Sequence, residues 1–379
     1  MDAPTKLESR KLWTERLIFV LGAFLLSRLI IAAAMGIVAP ALPAPEGGVQ
    51  PSVGMHELLW WDAGWYRYVA DHGYVQPTDN HQSPIAFLPL YPLTVRGLMR
   101  ATGMDYRFAG PLVNNLFFLA ALLILYLWTE QSHGRREAQW ATAAMAFCPY
   151  ALFTATAYTE GLFMACSGAA LWAFHNRRHG LAALFGSLAS VTRVTGAMLA
   201  PAFLLTAFLQ KRGLRAYAFA CLAGAGLAAH MLYCLLAHGD PLAFVHAQAG
   251  WRSGLGFDWA GWAHIIVNGL TGPIQWEIYP PAGGFIIVLM VFGAAALFIK
   301  LRKELDLAAL IYGVLSLLII FSSGSIRSVD RYVFAILPFH LGLGIIFARN
   351  RGWGWTVLLY CALLLGAFAV RFAQRLWVA

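Results

Sequence analysis

The sequence predicts an all-α polytopic membrane protein, and three observations support this fold class. The 379 residues are 60% hydrophobic and only 12% charged, whereas a soluble chain has about 25% charged residues. Apolar runs long enough to cross a bilayer recur along the whole chain, since about 20 such residues span the hydrocarbon core as a helix. Segments that alternate apolar and polar residues, as membrane β-strands do, are absent from the sequence.

The apolar runs predict about eleven membrane-spanning helices within a single domain that covers 1–379. No hydrophilic stretch is long enough to form a separate soluble domain. The predicted spans are 17–39, 108–129, 137–149, 151–174, 180–192, 194–210, 215–237, 283–300, 306–322, 332–348 and 353–372.

The basic residues predict the orientation of these spans. Lys and Arg cluster before the first span and in short links between later spans, as they do in cytoplasmic loops. The N-terminus is therefore expected inside, and the two long loops, 40–107 and 238–282, face outward. The net charge of +9 then reflects membrane orientation, and no nucleic-acid partner is expected. Arg371 and Arg375 fall on the outer side, against this trend.

The first outer loop contains "LLWWDAGWYRYVADHGY" from position 58. Its apolar residues over 57–72 have helical spacing, and Gly73 is a helix stop. A second apolar piece, 83–103, is interrupted by three prolines and makes a poor span. Both pieces are typical of helices that lie in the membrane interface, so this long loop is expected to be ordered.

Asp62 lies among the aromatic residues of this loop, and two interpretations remain open. Trp61 and Trp65 can anchor an interfacial helix whose wet face carries Asp62. Alternatively, a partly desolvated carboxylate at this position can accept a proton from a hydroxyl during group transfer. In the second interpretation, His72 is close enough along the helix to share the site.

Five further charged residues are candidates for a polar site. Arg28 and Glu160 lie inside apolar spans, where a charge is costly and usually functional. The alternative for Glu160 is a structural ion pair with Arg28 or Arg193. Arg193, Arg327 and Arg331 lie on the outer side, where guanidinium groups suit the phosphate of a lipid-linked substrate. Contact with ordinary phospholipid headgroups is the alternative for these arginines.

The sequence predicts no cofactor and no metal site. The five cysteines all lie in apolar segments and show no metal-ligand spacing. A Rossmann-type nucleotide domain needs a soluble α/β region, which this composition excludes. If the protein transfers a sugar, its donor is therefore not expected to be a soluble nucleotide sugar.

Four motifs, in this order, resemble those of the PIG-V family of mannosyltransferases. They are "WWDAGWYRYVADHGY" from position 60, "AFLPLYP" from 86, "TAYTEGLF" from 156 and "SVTRVTG" from 190. "DRYVFAILPF" from 330 resembles a further family element more weakly. The departures are small: Leu88 stands where the family has phenylalanine, and Thr159 where it has serine.

The resemblance implies a GT-C fold and an inverting glycosyltransferase on the extracytoplasmic side of the membrane. The donor would be a polyprenyl-phosphate-linked sugar, most simply mannose, and the acceptor a lipid or glycan hydroxyl. The matching residue for the catalytic base is Asp62. The residues expected to bind substrate are Trp61, Trp65, His72, Tyr91, Glu160, Arg193, Arg327, Arg331 and Arg28.

A transporter or lipid flippase built on an intramembrane network of Arg28 and Glu160 is the alternative function. It accounts for the buried charges but leaves the Trp-Asp loop unexplained, and no inverted repeat is visible. The membrane is the inner membrane of a bacterial cell or the membrane of the endoplasmic reticulum. The sequence leaves the sugar, the linkage, the acceptor and the oligomeric state open.

Overall fold

The computed structural model describes residues 6–75, 82–251, 256–271 and 283–378, and in these ranges the regular structure is helical. The α-helices of six or more residues are α1 (Lys6–Ala33), α2 (Asp62–His72), α3 (Leu90–Thr102), α4 (Tyr106–His133), α5 (Arg135–Ala146), α6 (Glu160–His175), α7 (His179–Ser190), α8 (Leu199–Leu209), α9 (Leu214–Leu222), α10 (Ala225–His238), α11 (Trp259–Thr271), α12 (Gly283–Lys300), α13 (Leu307–Phe321), α14 (Val329–Phe334), α15 (Leu337–Arg349) and α16 (Arg351–Ala373).

Each predicted span overlaps a helix or a pair of helices. Three described helices are long and apolar enough to cross a membrane alone: Arg10–Ala41, Tyr106–His133 and Arg351–Ala373. The pair α9 and α10, bent by 42°, makes a fourth if it is one broken span. The remaining apolar helices are shorter, so eleven crossings stay a prediction.

Two predicted helices begin later than expected, and the second outer loop carries a helix that was not predicted. The helix predicted over 57–72 begins at Asp62, because the backbone turns sharply at Trp61. The span predicted over 151–174 is divided: Pro149–Thr154 is a 3₁₀ helix, and α6 begins only at Glu160. The second outer loop carries α11, and 252–255 and 272–282 of that loop lie outside the described residues.

Many apolar side chains on the outside of the bundle face away from the protein. Ile18, Leu29 and Ile37 all lie in the helical segment Arg10–Ala41, and they are 65%, 64% and 70% exposed. Such surface would be unfavourable in water, but it matches a lipid environment, where only the backbone groups must be satisfied internally. The exposed apolar surface therefore agrees with a membrane protein.

The start of α6 is held against α4 by a close backbone contact. Gly161 donates its N–H to Asn114 Oδ1 at 2.7 Å. The amide nitrogen of Asn114 donates to the carbonyl oxygens of Phe153 and Thr156 at 2.7 and 2.8 Å. Asn114 thus fixes both the first turn of α6 and the irregular segment before it, and this contact positions Glu160.

We expect Gly161→Ala to destabilise the protein by about 1–3 kcal/mol, the usual cost of overpacking a tight core. A Cβ at this position would lie 2.2 Å from the carbonyl oxygen of Asn114. Gly97→Ala in α3 is the matched control, since a Cβ there meets nothing within 4 Å. Thermal unfolding in detergent measures both variants, and equal melting temperatures would contradict this account of the contact.

Candidate active site

Four ionisable side chains from distant parts of the chain form one connected ion-pair network. Asp62 Oδ2 lies 2.9 Å from Arg331 Nη2, and Arg331 Nε lies 3.4 Å from Glu160 Oε1. Arg193 Nη1 lies 2.5 Å from the same Glu160 oxygen. Two carboxylates and two guanidinium groups balance in charge, which offsets the cost of removing them from water.

The network runs from a partly open end to a closed end. The Asp62 side chain is 23% exposed, whereas those of Arg331 and Arg193 are 7% and 9% exposed and Glu160 is fully buried. A small molecule that enters from solvent or from the membrane interface therefore meets Asp62 first. The arginines behind it are desolvated, so their interaction with an anion is strong.

Asp62 owes its position to a strained turn before α2. Trp61 has φ 59° and ψ −122°, a conformation that costs a bulky residue about 1–3 kcal/mol and often marks a functional site. The hydroxyl of Tyr158 donates to the carbonyl oxygen of Trp60 at 3.1 Å and ties this turn to the segment before α6. The Asp62 carboxylate then begins the helix, where the macrodipole favours a negative charge.

Arg331 lies in the short helix α14, between the two longer helices α13 and α15. Its neighbour Asp330 is buried and accepts hydrogen bonds from the Tyr150 hydroxyl and from the backbone N–H of Arg331. Burial raises the pKa of Asp330 to about 6. Burial alone would lower the pKa of Arg331, but the carboxylates of Asp62 and Glu160 raise it well above the usual arginine value. Like other arginines in proteins, Arg331 is a cation.

Aromatic rings orient both arginines. The guanidinium carbon of Arg331 lies 5.1 Å from the ring centroid of Phe153 and 5.3 Å from that of Tyr158. The guanidinium carbon of Arg193 lies 4.8 Å from the ring centroid of Tyr332. Contacts of this kind hold the charged group in place without neutralising it.

A small cleft opens beside the exposed end of the network. The residues around it are Trp61, Asp62, Phe153, Tyr158, Arg331, Phe372, Trp377 and Val378.

Deeper in the network, the Oε2 atom of Glu160 is buried and accepts no hydrogen bond from the described part of the chain. Such an atom usually indicates a place for a water molecule or a ligand group.

Arg28 does not join this network. Its guanidinium donates to Asn115 Oδ1 and Thr154 Oγ1, each at 3.0 Å, and its carbon lies 5.2 and 4.9 Å from the ring centroids of Phe24 and Phe118. Arg28 thus faces polar groups inside the bundle, as its position in an apolar span predicts. An ion pair between Arg28 and Glu160, the basis of the alternative transporter interpretation, is not formed among the described contacts.

Two other predicted residues lie apart from the network. Arg327 is exposed in the turn before α14, four residues from Arg331. His72 is exposed at the far end of α2 and stacks on Tyr68, with ring centroids 4.7 Å apart. Because a helix rises about 1.5 Å per residue, His72 lies roughly 15 Å along α2 from Asp62.

Trp65 and Tyr91 belong to an aromatic cluster behind α2. The Trp65 ring is stacked on Phe87, with centroids 5.9 Å apart, and meets the edge of Trp251. Tyr91 is fully buried, and its hydroxyl donates to the carbonyl oxygen of Gly110 at 2.9 Å. In the described conformation these side chains support α2 and do not line the cleft.

The sequence interpretation missed several residues that line or support the cleft. Phe153, Phe372, Trp377 and Val378 carry no ionisable group and belong to no recognised motif. Tyr150 was likewise missed, because a tyrosine in an apolar run gives no sign of its buried partner. The position of Trp377 just beyond a predicted span on the outer side was the only available signal.

Comparisons with known proteins identify the fold. No protein-family model matches the sequence, and no curated protein matches it. The structure is similar to that of ArnT from Cupriavidus metallidurans, solved bound to undecaprenyl phosphate and in the apo state, with TM-scores of 0.56 and 0.57 and 13% identity. The match to the bound form covers 95% of this chain and 69% of ArnT.

A second similar structure is the apo oligosaccharyltransferase of Archaeoglobus fulgidus, with a TM-score of 0.51 and 15% identity. This match covers 94% of the present chain but only 55% of the archaeal protein. Identities this low establish the fold alone. The chain is therefore a polytopic membrane protein with the GT-C fold, which confirms the predicted fold class, whereas the PIG-V family stays a prediction.

Proposed function

We propose that this protein is a glycosyltransferase that takes a sugar from a polyprenyl-phosphate donor at a membrane surface. The observation that carries the proposal is the pairing of Asp62 with Arg331 at the mouth of one cleft. A carboxylate beside a desolvated cation meets the two needs of the reaction: a base for the acceptor and a counter-charge for the leaving phosphate. The similarity to ArnT, which was solved with undecaprenyl phosphate, supports this donor class.

Asp62 acts as the general base in this proposal. One carboxylate oxygen takes the proton from the acceptor hydroxyl while the hydroxyl oxygen attacks the anomeric carbon. The bond between that carbon and the phosphate oxygen breaks, and the electron pair leaves with polyprenyl phosphate. Attack from the face opposite the phosphate inverts the anomeric configuration.

Arg331 is placed to exchange partners during this reaction. Its guanidinium pairs with Asp62 when no phosphate is present. A donor phosphate would compete for the same N–H groups, since guanidinium binds phosphate in a bidentate manner. Once Arg331 turns to the phosphate, the Asp62 carboxylate is released from this ion pair and is free to accept a hydrogen bond from the acceptor hydroxyl. Donor binding therefore prepares the base.

Glu160 and Arg193 serve as the fixed part of the site. Arg193 donates to Thr159 as well as to Glu160, at 3.1 and 2.5 Å, so its position is set by two partners. The buried Glu160 pairs with Arg331 Nε, whereas Asp62 pairs with Arg331 Nη2. This arrangement keeps Arg331 in the site whichever anion it contacts.

The finer assignments follow from the motif resemblance. We propose mannose as the sugar, a lipid or glycan hydroxyl as the acceptor, and the extracytoplasmic side as the location of the reaction. Trp61 at the cleft is proposed to contact substrate. Arg327 is exposed and near α14, where it can reach a phosphate that approaches along the interface. Substrate binding by Arg28, His72, Trp65 and Tyr91 is also proposed from the resemblance, although none of the four lines the cleft.

A donor comparison tests the proposal. The purified protein in lipid nanodiscs is given radiolabelled mannose either as polyprenyl-phosphate mannose or as a soluble nucleotide-linked sugar, with a crude lipid and glycan extract as acceptor. We expect labelled product only from the lipid-linked donor. Product from the nucleotide-linked sugar alone would overturn the donor assignment.

A further inference from the structure

The segment after α16 turns back across the candidate active site. The N–H of Leu376 donates to the carbonyl oxygen of Arg371, and the N–H of Arg375 donates to the carbonyl oxygen of Phe372, both at 3.0 Å. Arg375 has φ 58°, so these bonds form a Schellman motif with arginine at the left-handed position where glycine is usual. The chain is thereby redirected toward the first outer loop.

Contacts with that loop hold the segment in place. The backbone N–H of Val49 donates to the carbonyl oxygen of Gln374 at 3.0 Å. The guanidinium carbon of Arg375 lies 3.6 Å from the ring centroid of Trp60. A left-handed non-glycine residue costs about 1–2 kcal/mol, and the stacking on Trp60 offsets this cost. The segment is therefore fixed to the first outer loop by a backbone hydrogen bond and a cation–π contact.

Because of this turn, the side chain of Trp377 lies at the cleft. Its ring meets that of Trp61 edge to face, with centroids 5.2 Å apart and planes at 83°. Both rings line the cleft beside Asp62, and both are partly exposed. Two indole rings at right angles form an aromatic corner next to a carboxylate.

A corner of this kind suits a pyranose ring. One face of a sugar carries C–H groups that pack on an aromatic plane, while its hydroxyls point to the rim, where a carboxylate can accept from them. The strained backbone at Trp61 is a second sign that the corner is built for a ligand. The corner lies beside Asp62 at the more exposed end of the network. Arg331, which we propose for the phosphate, borders the same cleft but is more deeply buried than Asp62.

We infer that Trp377 and Trp61 bind the sugar ring of a glycan acceptor and hold its hydroxyl at Asp62. This inference rests on the proposed function and deepens it, because it names the acceptor class as a glycan or glycolipid with a terminal pyranose. Trp377 is then a substrate-binding residue that sets acceptor specificity.

Equilibrium binding tests the inference without turnover. Methyl α-mannopyranoside, undecaprenyl phosphate and undecaprenyl-phosphate mannose are titrated separately into the protein in nanodiscs. We expect Trp377→Ala to weaken glycoside binding by about tenfold, the loss of one good aromatic contact. Trp377→Phe, which keeps an aromatic face, should weaken it less. Binding of both polyprenyl ligands should stay as in wild type.

Trp355→Ala is the matched control, because Trp355 is an exposed tryptophan near the start of α16, at the opposite end of that helix from the segment that carries Trp377. It should change none of the three affinities. Unchanged or tighter glycoside binding by Trp377→Ala, or no glycoside binding by wild type, would overturn the inference. A loss confined to undecaprenyl-phosphate mannose would assign the corner to the donor and overturn the acceptor assignment. If wild type binds neither polyprenyl ligand, the proposed function fails, while the glycoside titration still decides the role of Trp377.

Discussion

Asp62→Asn is expected to reduce sugar transfer by about 100- to 10,000-fold, the usual contribution of a general base. Asparagine keeps the size of the side chain and can still accept a hydrogen bond from Arg331, so the protein should fold. It cannot take a proton from the acceptor, so the chemical step should slow. The donor phosphate should bind at least as tightly as in wild type, because a neutral amide competes less than a carboxylate for the Arg331 guanidinium. Initial rates at saturating donor, together with undecaprenyl phosphate binding, measure the two effects separately.

Asp71→Asn provides the matched control for this prediction. Asp71 lies on the same helix, at its far end, and pairs with Arg67 at 3.4 Å on the exposed side. The exchange is chemically identical, but we expect transfer to stay near the wild-type rate. Equal losses in both variants would mean that charge on α2, and not a base at position 62, is required.

Glu160→Gln is expected to give the largest loss of stability, about 3–5 kcal/mol, the usual cost of breaking a buried ion pair from one side. The change leaves Arg193 and Arg331 buried, with Asp62 as the one carboxylate of the network that still forms an ion pair. Arg331 should then pair more tightly with Asp62, so donor binding should weaken as well. Thermal unfolding in detergent and undecaprenyl phosphate titration measure these two effects.

Glu304→Gln is a suitable comparison, because Glu304 forms an ion pair with Arg349 on the exposed surface. Exposed pairs contribute only about 0–1 kcal/mol, so this variant should unfold near the wild-type temperature. If Glu160→Gln were no less stable than Glu304→Gln, the buried network would not hold the site together as described.

The ionisable residues of the site can be predicted from the sequence, but the contacts between them cannot. Asp62, Glu160, Arg193 and Arg331 stand out because charge is rare in such an apolar chain. Asp62 and Arg331 lie 269 residues apart in the chain, yet share a hydrogen bond. No local pattern encodes that contact, since it depends on how α2, α6 and α14 pack.

The residues that escaped prediction share a physical property. Trp377 and Phe153 are apolar in an apolar chain, so their role depends on position alone. The turn at Trp61 was equally hidden, because tryptophan has no preference for positive φ and the tertiary contacts impose it. The partners of Arg28 could not be predicted either, because Asn115 and Thr154 are uncharged and belong to no motif that the sequence shows.

Product stoichiometry tests the central claim most directly. Polyprenyl-phosphate mannose, labelled in both the sugar and the lipid, is supplied to the protein in sealed vesicles with a glycan acceptor, and the products are separated by mass spectrometry. The account predicts one molecule of free polyprenyl phosphate for each new glycosidic bond, with inverted anomeric configuration. Intact donor that crosses the bilayer without release of polyprenyl phosphate would contradict it and identify a transporter instead.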